Sequence, residues 1–421
     1  MSKSTSESLS VQPPARAGAL AKREARLAWG LMAPTLVSVA LVVLLPLLAV
    51  FWISVKPVTL ADLRPPEPTV YERLKGKPGA AGDQVVIEYR LRNSSRQQPI
   101  ASVRLQDQWP AGLQAVDIDP RCMVSETALT CELGDWEAGH REKLKIGAIV
   151  QDGFLNAAPD IRDSEPEMTG EARSILFNAD FTLDNFVRVF HAPDFLNVLW
   201  ATLFYTVFGT VGALVVGLMA ALILNKSFRG QGILRGLFLF PYVAPVIAVA
   251  FTWVTLLDPF SGSANALLMQ MELISAPINF FGEDPMALIM VTVFEIWRYF
   301  PMAFLFILAR MQSIDSDMYE AADMDGASPF QKFWYLSLPQ LLGILSVLFL
   351  LRFIWTFNKF DDIFLLTGGN AGTRTLTVNV YEQAFAISNI GAGAAVAVVI
   401  FACLLTFMLF FFRFISKEEG L

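Results

Sequence analysis

Two polar islands interrupt the apolar runs of this chain. The stretch VFEIWRYFP places Glu295, Trp297, Arg298 and Tyr299 together, and LLRFIWTFNKFDDIF carries Arg352 and then Asn358, Lys359, Asp361 and Asp362. Ionisable groups at membrane depth are costly, so they face a bundle interior or a water-filled path and find partners there. Aromatic faces beside hydrogen-bonding groups suit a polar, carbohydrate-like solute. The other reading is structural, with Glu295 or Asp361 pairing with Arg298 or Arg352 to hold helices together. Trp297, Arg298, Arg352 and Asn358 are the candidate solute-path residues on grounds of polarity and helix position.

Bond-making chemistry finds no support. No G-x-x-x-x-G-K-[ST] loop is present, and TGGNAGTRT lacks the lysine that would reach a phosphate. The only two histidines, His140 and His191, stand outside the apolar spans and away from cysteines or carboxylates at metal spacing. No catalytic residue, metal site or bound cofactor is expected, and the chain does not read as an enzyme.

A third stretch, YEAADMDGASPFQKFWYLSLPQ, runs from Tyr319 to Gln340. Asp315 or Ser316 can cap a helix through Met324, and Gly326 can end it in the left-handed conformation. Ser328 caps a second helix, with Pro329 at its first turn. Ala321 and Ala322 leave a shallow surface, and Phe330, Phe333, Trp334 and Leu338 supply apolar anchors. That is a shape for a partner's groove. A helix pair lying on the bilayer is the alternative, and five carboxylates between Asp315 and Asp325 weigh against it beside an anionic leaflet.

The elements that must position these residues are membrane spans. The 421 residues are 54% hydrophobic and only 17% charged, above the apolar share of soluble domains. Six stretches reach spanning length, at 29–54, 196–224, 236–257, 286–309, 340–359 and 390–415. Residues 1–28 form a polar tail expected to be disordered and cytoplasmic. The run that follows is too long for a signal-peptide core and reads as an uncleaved first span. Lys22, Arg23 and Arg26 precede span one, Lys226, Arg229 and Arg235 follow span two, and Arg413 and Lys417 follow span six. Short Lys/Arg-rich loops stay cytoplasmic, which puts both termini and the loop 311–340 inside. Gly209, Ala213, Gly217 and Ala221 form a ridge for close helix packing in span two. A net charge of −7 argues against a nucleic-acid partner.

Residues 65–173 differ in character. QVVIEYRLRN puts Val85, Ile87, Tyr89 and Leu91 on one strand face, and SVRLQDQWPAGLQAVDI and KLKIGAIV alternate likewise, separated by turn residues. The expectation is a small extracytoplasmic β-sandwich inserted between spans one and two. The segment resembles a repeat family of immunoglobulin-like domains of bacterial surface proteins through VVIEYRLRNSS, LQDQWPAGLQAV and CELGDWEAGHREKL; such domains act as spacers or display modules. Cys122 and Cys131 form either a disulfide across a hairpin or two separate buried thiols. Cys403, in the last span, reads as a packing residue.

The stretch YEAADMDGASPFQKFWYLSLPQ resembles the EAA motif of inner-membrane permeases from binding-protein-dependent ABC importers. The matching residues are Glu320, Ala321, Ala322, Asp325, Gly326, Ala327, Leu338 and Pro339, with Leu336 where isoleucine is commoner. FTLDNFVRVFHAPDFLNVLWATLFYT, LFLFPYVAPVIAVAFTWVTLLDPFSGSANALL and FDDIFLLTGGNAGTRTLTVNVYEQAF are similar to segments of the carbohydrate, maltose-type branch. The resemblance extends from near Phe181 to the C-terminus, so that 181–421 would be the permease core. It implies an inner-membrane protein that imports a sugar or sugar derivative. It also implies cytoplasmic ATPase subunits holding the ATP and Mg, a second permease (a different chain in that branch) and a periplasmic solute-binding protein. The fold class expected is then an all-α polytopic membrane protein with six transmembrane helices and the all-β insertion. A secondary transporter should show internal repeats and broken spans, and a membrane sensor should carry a cytoplasmic output domain.

Overall fold

The computed structural model describes residues 19–96, 98–125, 127–157, 164–172 and 174–414. The expectation of disorder over residues 1–18, the domain boundary at Arg173, and Lys417 lie outside these residues. Helix starts at Ala19, so the end of the expected tail, residues 19–28, is helical. The chain divides into two compact units, Met1–Trp52 and Ile53–Leu421.

The first unit is dominated by α1, whose span Lys22–Ser54 covers 33 residues. A π-helical turn, Ala40–Leu44, sits just ahead of Pro46. Proline has no N–H to return to the carbonyl four residues back, and the widened turn accommodates that loss without breaking the helix.

Among the described residues of the second unit, eight strands form two antiparallel four-stranded sheets, β1-β2-β7-β4 and β5-β6-β3-β8 in spatial order. The strands are β1 (Pro68–Lys75), β2 (Gln84–Asn93), β3 (Ile100–Gln108), β4 (Leu113–Asp117), β5 (Cys122–Val124), β6 (Ala128–Trp136), β7 (Arg141–Val150) and β8 (Glu167–Glu171). These sheets correct the all-α class, because the chain is a mixed α and β protein. The inner residues alternate as a pleated strand requires. Val85, Ile87, Tyr89 and Leu91 from β2 share one core with Leu105, Leu129, Cys131 and Trp136 of the other sheet. Cys122 stands opposite Cys131 in the β5–β6 ladder, and the two are joined as a disulfide. Glu88 is enclosed by Lys75 and Arg90. Its hydrogen bonds to Lys75, and then to Arg90, lower its pKa to about 2.

The membrane core of this unit contains α2 (Phe195–Leu224), the bent pair α3 (Gln231–Val243 and Val246–Leu256), α4 (Met286–Gln312), α6 (Pro329–Phe357) and α7 (Ile390–Arg413). The shorter α5 (Ser316–Met324) lies between α4 and α6. The expected six spans correspond to five long helices and one bent pair. Among the described residues, five helices, α1 included, are long and apolar enough, and the stretch expected at 236–257 bends by 91°. Its break falls at Ala244 and Pro245. Ala244 is extended (φ −63°, ψ 142°), the conformation a following proline imposes.

The ridge on α2 meets α4 directly. A Cβ on Gly209 would stand 2.9 Å from Glu295 Cγ, and one on Gly217 would stand 2.7 Å from Ala303 Cβ and 2.8 Å from Phe304 N. Ala213 and Ala221 are fully buried. Small residues let these two backbones come together where lipid offers no hydrophobic drive for association.

Candidate functional site

Two arrangements of side chains go beyond packing. The first is a polar cluster inside the membrane core, at the junction of α2, α4 and α6. Glu295, fully buried on α4, is ion-paired with Arg352 of α6. It also accepts hydrogen bonds from Thr356 Oγ1 at 2.9 Å and from Tyr205 OH at 2.9 Å. Arg352 Nη2 donates to Thr356 Oγ1 at 3.0 Å, and its guanidinium lies 4.3 Å from the centre of the Tyr299 ring. The i, i+4 spacing of Arg352 and Thr356 puts both on one face of α6. A charge at this depth is tolerable only when paired and hydrogen-bonded, and this carboxylate has three donors around it.

Tyr299 stands at the centre of the cluster. Lys359 Nζ donates to its hydroxyl and stands 4.6 Å from its ring centre. Lys359 is also 3.3 Å from Asp361 Oδ1 and 3.7 Å from Asp362 Oδ2. Cations over an aromatic face are attracted by its quadrupole. Asp362 is fully buried, and among the described residues neither of its carboxylate oxygens has a hydrogen-bond partner. Arg298 approaches from α4 and donates to the carbonyls of Pro241 at 3.3 Å and Ala244 at 3.2 Å. Those carbonyls lie at the end of the first half of α3, so Arg298 satisfies backbone groups that the break leaves without helical partners.

The four residues proposed from sequence for a solute path do not converge. Arg352 and Arg298 meet around Tyr299. Trp297 turns instead towards Trp253, with ring centres 5.4 Å apart. Asn358 is exposed and bonds back to Ile354 O of its own helix at 2.8 Å. Tyr205 and Thr356 were missed, since a single tyrosine or threonine in an apolar run carries no charge signal. The repeat Thr202, Thr206 and Thr210, buried on α2, marks the same polar stripe and could have pointed to it.

The second arrangement is a helix pair. Asp315 accepts from the N–H of Asp317 and caps α5, and Asp325 ends it. Gly326 follows with φ +75°, a left-handed turn that a side chain would strain. Ser328 and Gln331 form a capping box at the start of α6, whose first turn carries Pro329. The second helix of the pair is not separate from the following span. It passes through a π turn, Phe333–Ser337, into the long helix that begins Leu338–Pro339. As in α1, the wide turn precedes the proline that could not complete the ladder.

Side-chain links brace the pair, among them Lys332 Nζ to Asp323 Oδ1 at 2.6 Å and Tyr319 OH to Ser337 Oγ at 2.9 Å. Glu320, Ala321, Asp325, Gly326 and Pro339 are exposed, whereas Ala322, Ala327 and Leu338 are half-buried. Phe330 and Tyr335 are 70% and 77% exposed. Aromatic surface of that extent is more than isolated apolar residues on a surface require.

The family described as "binding-protein-dependent transport system inner membrane component" matches residues 213–418, which include both arrangements except Tyr205. The chain is 37% identical over 221 residues to the inner membrane ABC transporter permease protein YcjO of Escherichia coli (strain K12), covering 52% of this chain and 74% of that protein. It is 32% identical over 232 residues to the trehalose/maltose transport system permease protein MalF of Thermococcus litoralis, covering 55% and 78%. Among solved structures, it is similar in fold to a chain of a bacterial alginate ABC transporter crystallised with an alginate pentasaccharide-bound periplasmic protein. That likeness has a TM-score of 0.50 at 21% identity and covers 55% of this chain and 82% of the other.

Proposed function

Because the chain belongs to the family of binding-protein-dependent ABC transporter inner-membrane permeases, we propose that the solute this importer subunit passes is a sugar or sugar derivative. Support comes from the sugar-transport name of the Thermococcus litoralis relative, and from the Tyr299 cluster. There an aromatic face, hydroxyls and charged donors and acceptors stand at the core of the spans. The observation that carries the coupling role is the braced, exposed pair from Ser316 to Lys332. It is capped and cross-linked by side chains, and it presents Glu320, Gly326 and the aromatics outward.

On this reading the helix pair seats in a cleft of a cytoplasmic ATPase subunit, which alone holds ATP and Mg and hydrolyses the nucleotide. A second permease, a different chain, completes the path, and a periplasmic binding protein delivers solute. Both termini and the helix pair then face the cytoplasm, and the β insertion stands outside, in reach of the binding protein. The solute path runs beside Tyr299, Lys359 and Arg298. The Arg352–Glu295 pair fixes the wall of that path, and Trp297 and Asn358 are peripheral to it.

The test is to purify the assembly with its ATPase and binding protein and measure which solute in a panel of oligosaccharides, polyols and amino acids raises ATP turnover. Stimulation by a carbohydrate is expected, and stimulation confined to amino acids would overturn the sugar assignment. Deleting residues 65–173 with the spans retained is expected to abolish stimulation by the binding protein. Unchanged stimulation would reject a docking role for the insertion.

A further inference from the structure

The β insertion is joined to the membrane core by two segments, residues 55–67 leaving and residues 174–184 returning. Tethers of a dozen residues or so are ordinarily compliant. Here they are not. Thr182 N donates to Val55 O at 2.8 Å, and the Asn185 amide donates to Ser54 O at 2.9 Å and Lys56 O at 2.8 Å. Lys56, with no exposed surface, sends its ammonium to the backbone carbonyl of Asn178 at 2.5 Å and to Asn178 Oδ1 at 3.2 Å, and it lies 4.1 Å from the Phe181 ring centre. The outgoing and returning chains are thus cross-linked at their roots.

The same collar is bonded to the start of α7. Leu60 N donates to Ser388 O at 2.9 Å, and Gly391 N donates to Val58 O at 2.9 Å, with Val58 fully buried. The approach is close enough to exclude a side chain, since a Cβ on Gly391 would stand 2.5 Å from Lys56 O. On its other side the collar reaches the insertion. Asp62, 5% exposed, uses Oδ2 to accept Thr59 N at 3.0 Å and Thr59 Oγ1 at 2.6 Å, which fixes the single turn Leu60–Leu63. Its Oδ1 accepts from Ser95 Oγ at 3.3 Å, on the connection between β2 and β3. A continuous run of hydrogen bonds, buried at Asp62, Val58 and Asn185, therefore joins the sandwich to the first residues of α7.

We propose that Lys56, Asp62 and Asn185 are positioning residues that lock the β insertion to the head of α7, so that the two move as one lever. A force on the insertion is then delivered to a membrane span and not lost in a linker. A full-length lysine buried among carbonyls makes sense in this role. Its ammonium bonds carbonyl and amide oxygens of the returning chain while its own backbone carbonyl is held by Asn185, so one residue ties both limbs. Coupling between distant sites requires such a physically connected element. The functional half of the proposal rests on the reading that a binding protein engages the insertion, whereas the mechanical half does not.

The experiment separates the two halves. Spin labels at exposed Lys143 on the insertion and exposed Ile387 beside α7 report their separation in the full assembly, with Cys403→Ala to remove the free thiol. Lys56→Met and Asp62→Ala are introduced separately, so that one variant remains informative if the other fails to assemble. Each is expected to broaden the distance distribution, to lower ATPase stimulation by the binding protein about tenfold, a usual size for coupling between sites, and to leave basal turnover and binding-protein affinity in place. A distribution as narrow as the parent's in both variants would overturn the lock. A broadened distribution with full stimulation would overturn the lever while leaving the lock standing. Loss of binding-protein affinity itself would move these residues into the docking surface and overturn their positioning role.

Discussion

Replacing Arg352 by methionine leaves the fully buried Glu295 carboxylate, among the described residues, with only Tyr205 and Thr356 as donors. Removing one partner of a buried ion pair destabilises by about 3–5 kcal/mol, because the remaining charge has neither water nor counter-charge. Protonation of Glu295 would bring the loss towards the lower end of that range. In Glu295→Leu with Arg352→Met the orphaned charge disappears. What remains is the unmet hydrogen bonding of Tyr205 and Thr356, about 1 kcal/mol each. The double variant should therefore be less damaged than Arg352→Met alone, at about 2 kcal/mol. Unfolding of the purified chain in mixed micelles titrated with SDS, followed by tryptophan fluorescence, gives the four corners of the cycle. Additivity within about 0.5 kcal/mol would refute the reasoning, since independent sites add to that tolerance.

Other perturbations act on separate parts of the molecule. Glu320→Lys, on the exposed face of α5, should abolish co-purification of the ATPase and stimulated turnover together while the isolated chain still inserts; retained coupling would exclude this face as the joint. Gly217→Val drives a side chain against Ala303 Cβ and Phe304 N and should destabilise the α2–α4 contact by about 1–3 kcal/mol, measurable in the same micelle titration. Lys75 and Arg90 hold Glu88 at about 2, so its contribution to the sandwich is complete above the unfolded carboxylate range near 4.5 and fades as pH falls towards 2. Pepsin cleavage within residues 65–173 should rise through that window, and Glu88→Gln should flatten the rise and make the sandwich more easily cut near the top of the window.

The helix pair was legible because its signals are local. Asp315, Gly326, Ser328 and Pro329 each act within a few residues, and all four sit where cap rules place them. The strand face of β2 was legible for the same reason, since a period of two needs no tertiary knowledge. The bend in α3 was written in Ala244–Pro245, but hydropathy averages over a window and passes smoothly across a proline. An all-α label failed because it ranked the spans above an insertion whose eight strands have a core of their own. Which carboxylate met which guanidinium was left open. The choice of Arg352 over Arg298 for Glu295 depends on how α4 and α6 rotate against each other, and no single-chain periodicity contains that angle. Tyr205 entered the cluster from α2 by the same packing.

ATP-driven accumulation tests the central claim most directly. Proteoliposomes containing this chain, its partner permease and the ATPase, with the binding protein outside and ATP inside, should concentrate a labelled carbohydrate against its gradient. Uptake should cease with Glu320→Lys and should be indifferent to collapse of ion gradients. Uptake that persists without ATP and follows a proton or sodium gradient would contradict the account.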